Sequence, residues 1–148
     1  MNRVVWAIVA ALALVVLAMA YVRLAPVEPA RWHTDPSADV QAGRAGHYHV
    51  CTGGDRPALG GGADRLERLA EIAEATPRTR RIAGSVAEGR ITWITRSAIW
   101  GFPDFTTAGI VETPEGPGIC IHARLRFGRD DLGVNRARVE GWLAALDA

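Results

Sequence analysis

The feature that most constrains this chain is a run without a single charge, residues 4–22, bounded by Arg3 and Arg23. At roughly 1.5 Å of rise per residue, a helix over this run approaches the thickness of a bilayer's hydrocarbon core. No face of it is polar, which argues against the amphipathic helix of a soluble core and predicts one membrane-spanning helix. The same stretch has a second reading as a cleavable leader, because Ala18-Met19-Ala20 fits the small-x-small pattern cut by signal peptidase. The basic flanks are nearly balanced, with Arg3 before the run and Arg23 and Arg31 after it. A very short amino-terminal tail is commonly left in the cytoplasm, and a cleaved leader exports the same side. The expected location is therefore a bacterial inner membrane, crossed once through residues 4–22, with the remaining chain in the periplasm.

Beyond the apolar run the chain has room for one domain. Residues 1–23 read as the anchor or signal peptide, 24–46 as an extended tether containing Pro26, Pro29 and Pro36, and 47–148 as a single folded unit. From His47 onward 13 arginines face 13 acidic residues, so the domain is close to neutral and nucleic acid is not an expected partner. The chain's 17 basic residues are all arginine, a bias that suits a GC-rich bacterial genome and says nothing of function.

Patterning in the domain alternates between the two regular periods. Residues 47–51 suggest a short strand, succeeded by a glycine-rich loop over 52–63. Asp64 is placed to cap a helix burying Leu66, Leu69, Ala70 and Ala73, which Pro77 ends. Four β-rich stretches come next, over 80–86, 90–97, 105–112 and 118–127, and suggest an antiparallel meander. Val139, Trp142, Leu143 and Leu146 then fall at i, i+3, i+4 and i+7 of a last helix. The predicted fold is α+β: an antiparallel β-sheet with two helices packed on one face, preceded by one N-terminal transmembrane helix.

Three constellations offer chemistry. In the strand over 118–127, Ile119, Ile121, Ala123, Leu125 and Phe127 alternate with Cys120, His122, Arg124 and Arg126, and His47, His49 and Cys51 alternate in the same sense on the first strand. If the two strands are close, His47, His49, Cys51, Cys120 and His122 form the ligand types that zinc or copper prefers. The competing readings are a Cys51 to Cys120 disulfide, free thiols, and histidines merely solvated on an open face. Arg96, Ser97, Trp100 and Asp104 flank a tight turn that suits either a ligand groove or a cover for the core. Ser97 lacks a nucleophile elbow, so a serine hydrolase is not indicated. Arg126, Asp131, Asn135 and Arg136 surround the start of the last helix, where acids and amides serve as caps and an anion is an alternative. Arg78, Arg80 and Arg81 read as a solvated basic edge.

Ser97, the turn Gly101-Phe102-Pro103-Asp104-Phe105, and above all Asp131-Leu132-Gly133-Val134-Asn135-Arg136-x-Arg138-Val139 resemble the bacterial family called domain of unknown function 1499. The resemblance covers roughly residues 78–146, and the segment 126–130 departs from the serine- and arginine-containing turn often seen there. It implies an envelope-associated module and brings no established catalytic residues. The expectation is a membrane-tethered, non-enzymatic module that binds a small ligand or an envelope partner without a cofactor. The alternative is a metal-binding protein or metal-dependent hydrolase built on the Cys/His set.

Overall fold

In the computed structural model, which describes residues 2–148, the chain runs α1 (Arg3–Leu24), α2 (Pro29–Trp32), β1 (His47–Val50), β2 (Leu59–Gly60), α3 (Ala63–Ala75), β3 (Thr79–Ser85), β4 (Arg90–Arg96), β5 (Pro103–Thr113), β6 (Gly116–Leu125) and α4 (Val134–Leu146). Helix α1 is long and apolar enough to cross a membrane. The strands form one antiparallel sheet in the order β1-β6-β5-β4-β3, with the short β2 pairing beyond β1 on β6. Strands β3 to β6 are the expected meander, and β1 returns to pair with its last member.

Alternation along β4 and β6 decides which face each residue takes. Ile91, Trp93, Ile119, Ile121 and Ala123 face the helices, where Leu66, Leu69, Ala73, Val139, Trp142 and Leu143 close over them. Fully burying a side chain of the Leu or Ile class contributes about 1.5–3 kcal/mol, so this stripe is the main stabilising layer. Helix α3 begins at Gly62 without a side-chain cap, and Asp64 sits inside the first turn rather than at the capping position expected for it. There its charge still suits the positive end of the helix dipole. Helix α4 has Gly133 at its N-cap, and the carboxylate of Asp131, two residues earlier, takes the capping role by accepting from the Gly133 and Asn135 amides at 3.0 and 2.7 Å. The turn into it needs glycine, since Gly133 has φ near 80°.

The opposite face of the sheet is covered as well. Residues 25–46 cross it as a strap, where the sequence suggests an extended tether over 24–46 that holds the domain off the bilayer. Trp32 lies flat on Phe105, ring centroids 3.8 Å apart, and its carbonyl accepts from Thr107 Oγ1 at 3.0 Å and from Arg124 Nη2. His33 Nδ1 meets Thr92 Oγ1 at 2.9 Å. Pro36 is seated so closely over Gly109 that an added Cβ would lie 3.0 Å from its ring. The strap supplies polar partners to a strand face that carries threonines, histidines and an arginine, which is why such a face can be buried. Cys51, just beyond β1, is bonded to Cys120 of β6, with Cα atoms 4.7 Å apart and a sequence separation of 69.

Candidate functional site

One end of the domain gathers the last turn of α1, the loop after β4 and the loop between β6 and α4. Helix α1 is fastened to this end by several contacts. Arg96 Nη1 donates to the Val22 carbonyl at 3.4 Å, Arg23 Nη2 donates to the Ile99 carbonyl at 2.5 Å, and Tyr21 meets Phe127 edge-on at 6.1 Å. The loop between β4 and β5 is itself closed tightly. Ser97 Oγ accepts from the Phe102 amide at 2.9 Å, and Arg96 Nη1 also donates to the Gly101 carbonyl at 2.9 Å.

Between the two loops lies a cleft of about 350 Å³. Phe102, Leu125, Phe127 and Val134 form its apolar wall, and Ser97, Asp104, Asp130 and Asp131 supply the polar groups. Most of those polar atoms are committed. Asp130 accepts from the Leu132 amide at 2.9 Å, and Asp131 caps α4. Asp104 takes Arg138 Nη2 at 2.9 Å in a pair that is largely shielded from solvent, and Arg138 Nη1 reaches Asn135 Oδ1 at 2.9 Å. Burial pushes the Asp104 pKa up, and the Arg138 guanidinium opposes that rise. The cleft thus has an apolar wall on a braced, hydrogen-bonded frame.

A family model described as protein of unknown function, DUF1499, matches residues 53–146, the greater part of the chain. The chain belongs to the DUF1499 family. No curated protein and no solved structure matches it. In this DUF1499 domain the segments that carried the sequence resemblance, around Ser97, Phe102-Pro103-Asp104 and Asp131 to Arg138, meet at the one cleft and its frame.

The residues singled out as ligand contacts divide in the fold. Ser97, Asp104 and Asp131 line the cleft, and Trp100 stands at its margin with its ring 6.0 Å from that of Phe102. Asn135 is buried beneath it and serves the frame. Arg96 opens onto a neighbouring cleft across the Ser97 loop. Arg126 turns toward the strap and donates to the Pro26 carbonyl at 2.8 Å. Arg136 lies over the Tyr48 ring, apart from the others, because its place on α4 points it toward β1. Phe127 and Leu125 were legible only as members of a strand face, and nothing in their spacing marks them as cleft wall.

The Cys/His row does assemble, since the β1–β6 register sets His49 opposite His122, but its geometry differs from a ligand cage. The sulfurs are joined to each other. The His49 and His122 rings stack at 3.7 Å, and His47 Nδ1 faces His122 Nε2 at 2.9 Å, so one pair of ring nitrogens shares a proton and the rings overlap face to face. Among the described residues no group of three or more His, Cys, Asp or Glu side chains is placed to hold a cation. His49 and His122 are buried under the strap, not solvated. Burial, aided by Arg44 and Arg124, holds His47 down at about 4, and burial with Arg124 holds His122 at about 2, which keeps both rings neutral.

Proposed function

We propose that this DUF1499 protein is a single-pass inner-membrane protein whose domain works in the periplasm as a non-enzymatic binding module. Its ligand is a small amphipathic molecule or an apolar partner segment, taken at the Phe102/Phe127/Val134 cleft. The observation that carries the proposal is the mounting of α1. Its last turn is bonded to the Ser97–Gly101 loop through Arg96 and Arg23, so the cleft is held at a set position beside the end of the apolar helix. A disulfide in the domain is consistent with an oxidising compartment. Binding is favoured over catalysis because the polar groups of the cleft are occupied as caps, turn acceptors and an ion pair, and the histidines lie under the strap on the other side of the sheet. No cofactor is part of the proposal.

Two measurements test it. Carbonate-washed membranes and protease digestion of intact spheroplasts are expected to keep the full-length chain membrane-bound and to expose the domain from outside. A chain cleaved after Ala20, or one digested only in inverted vesicles, refutes the anchored periplasmic reading. Organic extraction of the purified full-length protein is expected to return a bound molecule that Phe102→Ser and Val134→Asp each release while the domain stays folded. Equal retention in both variants refutes the cleft.

A further inference from the structure

Across the Ser97–Gly101 loop from that cleft lies a second one, of about 390 Å³, into which four arginines open: Arg23, Arg78, Arg80 and Arg96. They come from the last turn of α1, the bend before β3, β3 itself and the end of β4. No acidic residue lines this cleft, and among the described residues none of the four is paired with a carboxylate. Arg81, the next residue along β3, contrasts with them: it is paired with Glu74 at 2.7 Å on the helical side of the sheet. Three of the four are also oriented by backbone carbonyls. Arg78 Nε donates to the Arg96 carbonyl at 3.0 Å, Arg96 to Gly101 and Val22, and Arg23 to Ile99. Each guanidinium has five N–H donors, so these contacts leave donors free while lowering the entropy that an incoming anion must overcome. Burial, together with the charges of Arg80, Arg126 and Arg23, lowers the pKa of Arg96. A bound anion would relieve that mutual repulsion.

We propose that this four-arginine cleft holds the phosphate of an anionic phospholipid from the bilayer that α1 spans. The assignment rests on the reading of α1 as a membrane helix. The phospholipid source, rather than free phosphate, is favoured by where the cleft sits. Arg23 belongs to the last turn of the apolar helix, and the loop it grips carries Ile99, 73% exposed, and Trp100, 39% exposed, at its tip. With Tyr21 on α1 itself, 65% exposed, these side chains form an apolar and aromatic edge suited to the depth of lipid headgroups. Guanidinium groups bind phosphate oxygens through two parallel bonds.

The test is native mass spectrometry of the full-length protein in detergent micelles doped with phosphatidylglycerol or with phosphatidylcholine. Phosphatidylglycerol is expected to remain as a one-to-one adduct, and its retention is expected to fall about tenfold or more in Arg78→Gln/Arg80→Gln and in Arg80→Glu alone, but not in Arg81→Gln. Equal retention in the wild type and in a folded Arg80→Glu protein overturns the site, as does equal retention of the two lipids. Complete displacement of the lipid by millimolar inorganic phosphate overturns the phospholipid source. Carbonate washing separates the two proposals. A chain that stays in membranes yet carries no adduct refutes the lipid site alone, whereas a chain that washes off and still takes up phosphatidylglycerol through Arg80 refutes the anchor alone.

Discussion

Trp32 stacks on Phe105 with 7° between the ring planes, which joins the segment after α1 to the centre of the sheet. The two residues are far apart in sequence, and each covers a surface the other would leave wet. Trp32→Ala is expected to destabilise the domain by about 2 kcal/mol, through lost stacking and the exposure of Phe105. Denaturant unfolding of the full-length protein in detergent measures this. Trp100→Ala, at an exposed loop tip, is expected to change stability by less than about 0.5 kcal/mol. Equal effects would mean that the strap adds nothing to the fold.

Arg138 and Asp104 form an ion pair with little solvent access, their side chains 11% and 14% exposed. Arg138→Met leaves a carboxylate without its partner, and a loss of about 3 kcal/mol at pH 7 is expected. The Asp104 pKa, already raised by burial, rises further in the variant. Protonation then removes the stranded charge, so the gap between variant and wild type should narrow as the pH falls toward 5. A gap that is constant with pH would show that packing, not charge, dominates the pair.

The histidine row gives the domain an acid-labile back face. His47, His49 and His122 have folded-state pKa values below the ordinary 6.5, first because they are buried. Below about pH 6.5 the unfolded chain binds protons that the folded chain refuses, so stability falls as the pH falls. Each such ring contributes up to about 1.4 kcal/mol per pH unit, and the fall continues to about pH 4 for His47. Unfolding midpoints between pH 7 and 5 measure the slope. His122→Gln is expected to flatten it, and an unchanged slope would remove the row as its cause.

The Cys51–Cys120 bridge closes a loop of 69 residues, for which the chain-entropy relation gives a stabilisation of about 4 kcal/mol. Reductant, or the pair Cys51→Ala and Cys120→Ala, is expected to lower the unfolding midpoint accordingly. The untreated protein should have an intact mass lower by two hydrogens. Full thiol titration of protein purified without reductant would contradict the bridge.

The α+β class and the order of the longer elements were legible because each relies on a local period, whereas the short α2 and β2 fall in stretches that read as tether and loop. The alternation from Gly118 to Leu125 and the i, i+3, i+4 stripe of α4 are written in consecutive residues, and both appear at nearly the expected bounds. The pairing of Cys/His rows on one sheet face was also foreshadowed, since strand parity alone puts them there once β1 joins β6. The strap was not legible. Residues 25–46 have no period, and their prolines and scattered charge look the same whether they cross solvent or a sheet.

By itself, then, the sequence determined an apolar helix, an α+β domain behind it, and the face on which most residues of the long strands fall. Those features come from hydropathy and from the two- and 3.6-residue repeats, which act within a few residues. The tertiary structure alone decided that the polar sheet face is roofed by the strap, that Cys51 bonds to Cys120, that three histidines stack, and that Arg23 and Arg96 join Arg78 and Arg80 around one cleft. Each of these depends on strand register or on the path of a segment without a repeat. Contacts between residues dozens of positions apart are set by the packing of the whole domain, and no local pattern encodes them.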